Sequence, residues 1–112
     1  MQKPSGILIL PLNRTPFKKN YEAIAKEIIL KELHTADCRI FLFGSRARKD
    51  NYRFSDMDIG ILPGKNFNER VLYTLRDKLN DSIIPFKVEV VNFNYADAAF
   101  KQEALKDAVY WN

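Results

Sequence analysis

The stretch LFGSRARKDNYRFSDMDIGIL, residues 42–62, places a Gly-Ser pair and two arginines after one apolar run and two aspartates at the start of the next. Residues 39–43 are β-prone and stop at Gly44, which predicts a strand that ends in a turn. In the second run carboxylates alternate with apolar residues, which predicts a strand with Asp56 and Asp58 on one face. The stretch therefore predicts two strands joined by a turn, a short helix and a loop.

The remainder of the chain alternates between helical and extended patterns. Apolar residues recur at three-to-four spacing in three segments, and Asn66 with Glu69 resembles a capping pair at the start of the second. Helices are predicted for residues 16–33, 66–83 and 97–108, and strands for residues 39–43, 56–62 and 86–93. This order predicts an α/β (α+β) fold, a small mixed β-sheet packed on helices.

The length of 112 residues predicts a single domain over residues 1–112, in which residues 1–16 form an N-terminal extension with an edge strand at residues 7–10. No apolar run approaches the roughly 20 residues of a membrane helix. The start also lacks the pattern of a signal peptide, so we expect a cytoplasmic protein without a membrane contact. Because Cys38 and His34 are the only residues of their kinds, an internal disulfide and a Cys/His zinc site are excluded.

The formal net charge is +4, which suits an anionic partner. Five basic residues lie between Arg39 and Arg53 against the single acid Asp50. This excess of positive charge directly precedes Asp56 in the sequence.

Two aspartates on one strand face repel each other unless a cation lies between them. Mg²⁺ accepts one or two carboxylates together with substrate phosphates. Glu89 lies on a later predicted strand and can add a third acid, which would allow two ions to bind. The alternatives are a solvated strand edge for the aspartates and a salt bridge to Lys87 or an arginine for Glu89.

A strand that ends at Gly44 and opens a helix at Ser45 presents backbone N–H groups and the positive end of a helix, a combination that binds phosphate. Arg46 and Arg48 lie close enough in sequence to add charge-assisted hydrogen bonds to a triphosphate. Their alternative role is a solvated helix face.

Gly44-Ser45, ten further residues, Asp56-Met57-Asp58 and a later acid in VEV together resemble the DNA polymerase β-like nucleotidyltransferase superfamily. Within it, the strings FGSRAR and SDMDI are most similar to the minimal nucleotidyltransferases of prokaryotes. These proteins are commonly encoded beside a helical HEPN-domain protein and act as the antitoxin of a toxin–antitoxin pair. The resemblance covers roughly residues 17–110.

The resemblance implies that Gly44 and Ser45 grip the phosphates of ATP. It further implies that Asp56 and Asp58 bind both Mg²⁺ ions and that Glu89 completes the metal site and helps to activate the acceptor hydroxyl. The implied activity is transfer of AMP from ATP to a tyrosine of the HEPN partner. The chain departs from the family pattern at Lys49, where a glycine is usual, and at Glu89, where aspartate is common.

Three functions follow as hypotheses. The first is a metal-dependent nucleotidyltransferase in a hetero-oligomer with a HEPN-type protein, with catalytic residues Asp56, Asp58 and Glu89 and nucleotide-binding residues Gly44, Ser45, Arg46 and Arg48. The second is an antitoxin that neutralises its partner by binding alone. The third and weakest is nucleic-acid binding through the basic cluster. The sequence does not decide whether the chain also forms a homodimer.

Overall fold

The computed structural model of the chain describes residues 20–112, and the edge strand predicted at residues 7–10 lies outside them. The helices are α1 (Tyr21–Leu33), α2 (Ser45–Arg48), α3 (Val71–Asn80) and α4 (Ala98–Leu105), with a 3-10 turn at Phe93–Tyr95. The strands are β1 (Cys38–Phe43), β2 (Met57–Pro63), β3 (Val88–Asn92) and β4 (Val109–Tyr110). Between residues 20 and 112, no helix is long and apolar enough to cross a membrane.

The four strands form one sheet in the order β3-β2-β1-β4. β1 runs antiparallel to β2 and to β4, whereas β2 and β3 run parallel. The prediction of a small mixed sheet packed on helices is therefore confirmed. The register pairs Phe43 with Asp58 and Phe41 with Gly60.

One face of the sheet packs against α1 and α3. Alternate residues of the strands point to this face, and residues three or four apart along each helix meet them, because these spacings place side chains on one side of a strand or a helix. The buried residues of this layer are Ala25, Ile29, Leu33, Ile40, Leu42, Met57, Ile59, Ile61, Leu72, Leu75, Leu79 and Val90.

The opposite face carries an aromatic cluster covered by α4. The rings of Phe41 and Phe93 meet edge-on with their centroids 4.9 Å apart, and Phe43 meets Phe93 in the same way at 5.4 Å. Such tilted contacts are the geometry that aromatic pairs favour. Since Phe43 pairs with Asp58 in the register, this cluster borders directly on the acidic residues of the same face.

The second long helix begins later than predicted. Asn66 was expected to cap it, but α3 starts at Val71, and the Asn66 N–H donates instead to the Asp37 carboxylate at 2.9 Å. The Gly64 N–H donates to the Asp37 backbone carbonyl at 2.7 Å. Asp37 thus holds this segment in a turn, and the predicted capping pair does not form.

The second helix also ends earlier than predicted. It stops at Asn80, and Ser82 accounts for the stop because its hydroxyl donates to the Leu79 carbonyl at 2.6 Å. Ile83, predicted on the apolar stripe, is 58% exposed.

The last helix likewise stops short of its predicted end. It ends at Leu105 rather than residue 108, and the chain then forms β4 on the edge of β1, which was not predicted. The ring of Tyr110 packs at an angle of 44° against the ring of Phe41, with the centroids 5.4 Å apart.

Replacing Gly60 by alanine tests the packing of the two central strands. A Cβ at Gly60 would overlap the ring of Phe41. Alanine loses less backbone entropy than glycine when a strand folds, which favours alanine by about 0.5–1 kcal/mol. Overpacking a core costs about 1–3 kcal/mol. We therefore expect Gly60→Ala to lower the free energy of unfolding in urea by about 1–2 kcal/mol.

The Phe41→Leu background provides the control for this substitution. Leucine is smaller than phenylalanine, so the methyl group of the new alanine has more room in this background. Gly60→Ala should therefore lower the free energy of unfolding by less than in the wild-type chain. A stabilising effect of Gly60→Ala in the wild-type background would show that the ring of Phe41 does not occupy this space.

Candidate active site

Three acidic residues lie at the end of the sheet where β1 finishes. Asp58 is the second residue of β2 and pairs in register with Glu89 of β3. Residues paired across neighbouring strands share a face, so the predicted placement of these two acids side by side is confirmed. Asp56 is exposed and immediately precedes β2.

Gly44 brings the turn after β1 into contact with Asp58. Its backbone has φ 77° and ψ −155°, a conformation that is essentially confined to glycine. A Cβ at this position would overlap the Asp58 carboxylate. The glycine is therefore required both by the local backbone and by the close approach of the turn to the acid.

Asp58 lies in an environment that disfavours its charged form. Burial raises the pKa of its carboxyl group, and the neighbouring negative charges of Asp56 and Glu89 raise it further. Arg48 and Lys87 oppose this shift without reversing it. The three acids therefore form a cluster whose mutual repulsion the protein's own cations do not fully neutralise.

The side chain of Glu89 is held by a neighbouring cation. Lys87 lies two residues earlier in the chain, and its Nζ is 2.9 Å from Oε1 of Glu89. Both side chains are well exposed. The salt bridge considered from the sequence as an alternative role for Glu89 is thus present, and its exposure means that it contributes little to stability.

The two arginines of the motif have different surroundings. The side chain of Arg46 is only 6% exposed and donates to backbone carbonyls of the loop before β2. Arg48 is exposed, and its Nε donates to Asp50 at 3.0 Å. Ser45 is half-buried at the first position of α2. Of the two arginines, only Arg48 faces solvent beside the Gly44 turn.

Lys49 ends α2 in the left-handed conformation, with φ 64° and ψ 31°. This conformation costs a residue with a side chain about 1–2 kcal/mol. The structure therefore explains why the related motif has a glycine here. In this conformation the Lys49 N–H donates to the Ser45 carbonyl and closes the C-terminus of α2.

A cavity of about 190 Å³ opens beside the Gly44 turn. It combines an aromatic wall with a cation and acids, and its lining residues are Phe43, Gly44, Arg48, Phe100, Glu103, Ala104 and Asp107. Sequence reasoning missed the part contributed by α4. No spacing in the sequence indicates it, because only the packing of α4 against the sheet brings Phe100 to within 5.8 Å of Phe43 between ring centroids.

The donor set suits a hard divalent cation. Asp56, Asp58 and Glu89 offer only carboxylate oxygens, the ligands that Mg²⁺ prefers. Burial raises the pKa of Asp58 most, and a cation would relieve the repulsion from Asp56 and Glu89 that raises it further. In residues 20–112, no group of three or more such side chains is already gathered as a metal site. Glu89 would have to leave Lys87 to join the aspartates.

Sequence and structure comparisons identify the class of protein. The family model described as polymerase beta, nucleotidyltransferase, matches residues 26–110. The chain therefore belongs to the polymerase beta nucleotidyltransferase family. No curated protein matches the chain significantly.

Among solved structures, the chain is similar to proteins of toxin–antitoxin systems. A toxin–antitoxin structure with AMP-PNP is 25% identical, with a TM-score of 0.61 and coverage of 78% of this chain and 73% of the other. A tri-AMPylated Shewanella oneidensis HEPN toxin in complex with MNT antitoxin gives 22% identity, a TM-score of 0.57 and coverage of 81% and 72%. A proposed minimal nucleotidyltransferase gives 18% identity, a TM-score of 0.63 and coverage of 82% and 96%.

The raised pKa of Asp58 predicts a pH-dependent effect of Asp58→Asn on stability. The folded chain holds this proton more tightly than the unfolded chain, in which the pKa is about 3.9. As the pH rises through the folded-state pKa, the wild-type protein loses the associated stability, whereas asparagine does not titrate. In metal-free buffer, Asp58→Asn should therefore be more stable than the wild type at pH 7, and this advantage should disappear below about pH 4.

Urea unfolding across this pH range measures the effect. Asp77→Asn, on the exposed side of α3, is the matched control and should follow the wild type at every pH. A constant difference between Asp58→Asn and the wild type from pH 4 to pH 7 would contradict the linkage.

Proposed function

We propose that the protein is a metal-dependent nucleotidyltransferase that moves AMP from ATP to an acceptor hydroxyl, with residues 1–112 as one catalytic domain in the cytoplasm. The observation that carries the proposal is the contact of the Gly44 turn with Asp58, which is itself in register with Glu89. The turn that we assign to phosphate binding therefore lies against the carboxylates that we assign to the cation. Membership of the nucleotidyltransferase family supports the same chemistry.

In this proposal the turn holds the triphosphate of ATP. The first N–H groups of a helix have no partners within the helix, so Gly44 and Ser45 can present theirs to phosphate oxygens. Arg48 can add a charge-assisted hydrogen bond if it leaves Asp50, an exchange that is inexpensive for an exposed ion pair. The cavity lined by Phe43 and Phe100 offers an apolar wall to part of the nucleotide.

The reaction joins the acceptor oxygen to the α-phosphorus of ATP. The bond from that phosphorus to the oxygen that bridges the α- and β-phosphates breaks, and pyrophosphate leaves. Glu89 is the group that we assign to accept the proton of the acceptor hydroxyl. This role requires Glu89 to separate from Lys87, which frees Lys87 to face the phosphate charge.

Asp56 and Asp58 would hold two Mg²⁺ ions, with Glu89 as a third ligand. When bound, these ions neutralise phosphate charge and favour ionisation of the acceptor hydroxyl. The like-charge cluster around Asp58 supports this assignment, since its repulsion favours any cation that binds between the carboxylates.

We propose that the acceptor is a tyrosine of a HEPN-type toxin. The support comes from the solved structures: a chain from a complex of a tri-AMPylated HEPN toxin with MNT antitoxin shares this fold, and a 25% identical relative from a toxin–antitoxin pair was crystallised with AMP-PNP.

A second candidate is an antitoxin that binds its toxin without transferring AMP. The ion pair between Lys87 and Glu89 favours this alternative, because it occupies the acid that would serve the acceptor. Under this alternative, the protein and its partner form a stable complex in which the partner remains unmodified.

Incubation with Mg²⁺, ATP and the HEPN protein encoded nearest the gene tests both candidates. With ATP labelled at the α-phosphorus, the enzyme hypothesis predicts label on the partner. With ATP labelled at the γ-phosphorus, it predicts none. Replacing the modified tyrosine of the partner by phenylalanine should abolish the signal.

Substitutions in the carboxylate cluster complete the test. Asp56→Asn and Asp58→Asn should each lower the rate of labelling at least about 100-fold, because loss of a metal ligand removes several kcal/mol of charge stabilisation. Asp77→Asn, an exposed residue of α3, should retain the wild-type rate. A tight complex with no α-label would favour neutralisation by binding, and label from γ-labelled ATP would overturn the proposed transfer of AMP.

A further inference from the structure

Arg46 is the most buried charged residue in the described part of the chain, at 8% exposure. Its Nε and Nη2 both donate to the Ser55 carbonyl, at 3.2 and 2.8 Å. Nη2 also donates to the Arg53 carbonyl at 3.1 Å, and Nη1 lies 3.3 Å from Glu22 of α1. The guanidinium group therefore connects the loop before β2 to the first helix.

The ring of Phe86 completes this environment. The central carbon of the Arg46 guanidinium lies 4.0 Å from the centroid of Phe86, which precedes β3. A buried cation is tolerated when it is paired, hydrogen-bonded and stacked, and the planar fork of arginine meets these needs as lysine cannot. Protein groups therefore contact all three guanidinium nitrogens of Arg46, and an aromatic ring lies against its planar group.

The carbonyl that receives two of these bonds belongs to Ser55, the residue directly before Asp56. We propose that Arg46 is a positioning residue that fixes the backbone entering Asp56, and hence the direction in which this carboxylate approaches Asp58. The proposal rests on the proposed function, because it assigns Arg46 to the assembly of that cation site. It reverses the expectation that Arg46 binds the triphosphate directly.

The loop before β2 has few other contacts that could fix its backbone. Tyr52 and Phe54 are 85% and 54% exposed, so they add little packing to hold the loop. Among residues 20–112, the other hydrogen bonds of this loop join Ser55 to Tyr52, at 2.9 and 3.2 Å, and the Asn51 side chain to the Tyr52 carbonyl, at 2.8 Å. The Met57 N–H, directly after Asp56, donates to the Lys87 carbonyl at 2.8 Å, and the hydrogen bonds from Arg46 hold the residues that lead up to it.

The rate at which trypsin cleaves the loop reports how firmly Arg46 holds its backbone, and the assay needs no ligand. Arg53 is exposed, so trypsin can reach its side chain. The carbonyl group of the bond to be cut accepts a hydrogen bond from Arg46, which holds that bond in place. We expect Arg46→Met to increase the cleavage rate at this bond at least tenfold, as quantified by mass spectrometry, and Arg46→Lys to give an intermediate rate. Arg70→Met, at an exposed position before α3, should cleave after Arg53 like the wild type.

Nucleotide affinity separates positioning from direct phosphate binding. The probe is a non-hydrolysable ATP analogue, measured by calorimetry first in EDTA and then with Mn²⁺. A positioning role predicts that Arg46→Met and Arg46→Lys bind the analogue in EDTA within twofold of the wild type. The gain in affinity on adding Mn²⁺ should fall about tenfold in Arg46→Met and less in Arg46→Lys.

Each outcome bears on the proposal. Wild-type cleavage rates in both folded variants, or a tenfold loss of affinity in EDTA, would overturn it. If Arg46→Met does not fold, Arg46→Lys alone decides between the two roles. If the wild-type protein shows no gain with Mn²⁺, the proposed cation site fails, while the cleavage rates still show whether Arg46 holds the loop.

Discussion

The register between β1 and β2 is the constraint on which the rest of the structure depends. Because Met57, Ile59 and Ile61 must enter the core beneath α1 and α3, Asp58 must point to the opposite face. A slip of one residue would reverse both sets of side chains. The same register places Asp58 at the end of β1, where only a glycine can let the turn approach the carboxylate.

Some charged side chains near the site fix its backbone, whereas others are exposed and can contact a bound nucleotide. Arg46 and Arg48 are two residues apart, yet one is buried against the loop carbonyls and the other is free to exchange its exposed partner. Lys87 has a similar double role, since it partly offsets the repulsion around Asp58 while it holds Glu89. A cation with a bound nucleotide would replace these weak pairs.

Local patterns predicted the central part of the fold, and tertiary contacts decided the rest. Alternation in β2 and β3 correctly placed Asp58 and Glu89 on one face. The predicted start of α3 was wrong because the carboxylate of Asp37, distant in sequence, accepts a hydrogen bond from the N–H of Asn66, the expected capping residue. The burial of Arg46 was likewise unpredictable, since its partner Glu22 lies 24 residues away and motif spacing carries no information about it.

We infer that the Gly44 turn and the carboxylates of Asp56, Asp58 and Glu89 form one site for nucleotide and divalent cation. A crystal structure with Mn²⁺ and a non-hydrolysable ATP analogue would show whether both bind there. We expect an anomalous Mn²⁺ peak in contact with Asp56 and Asp58, phosphates against the turn, and Glu89 separated from Lys87. A nucleotide bound elsewhere, or no Mn²⁺ at these carboxylates with the pair of Lys87 and Glu89 intact, would contradict it.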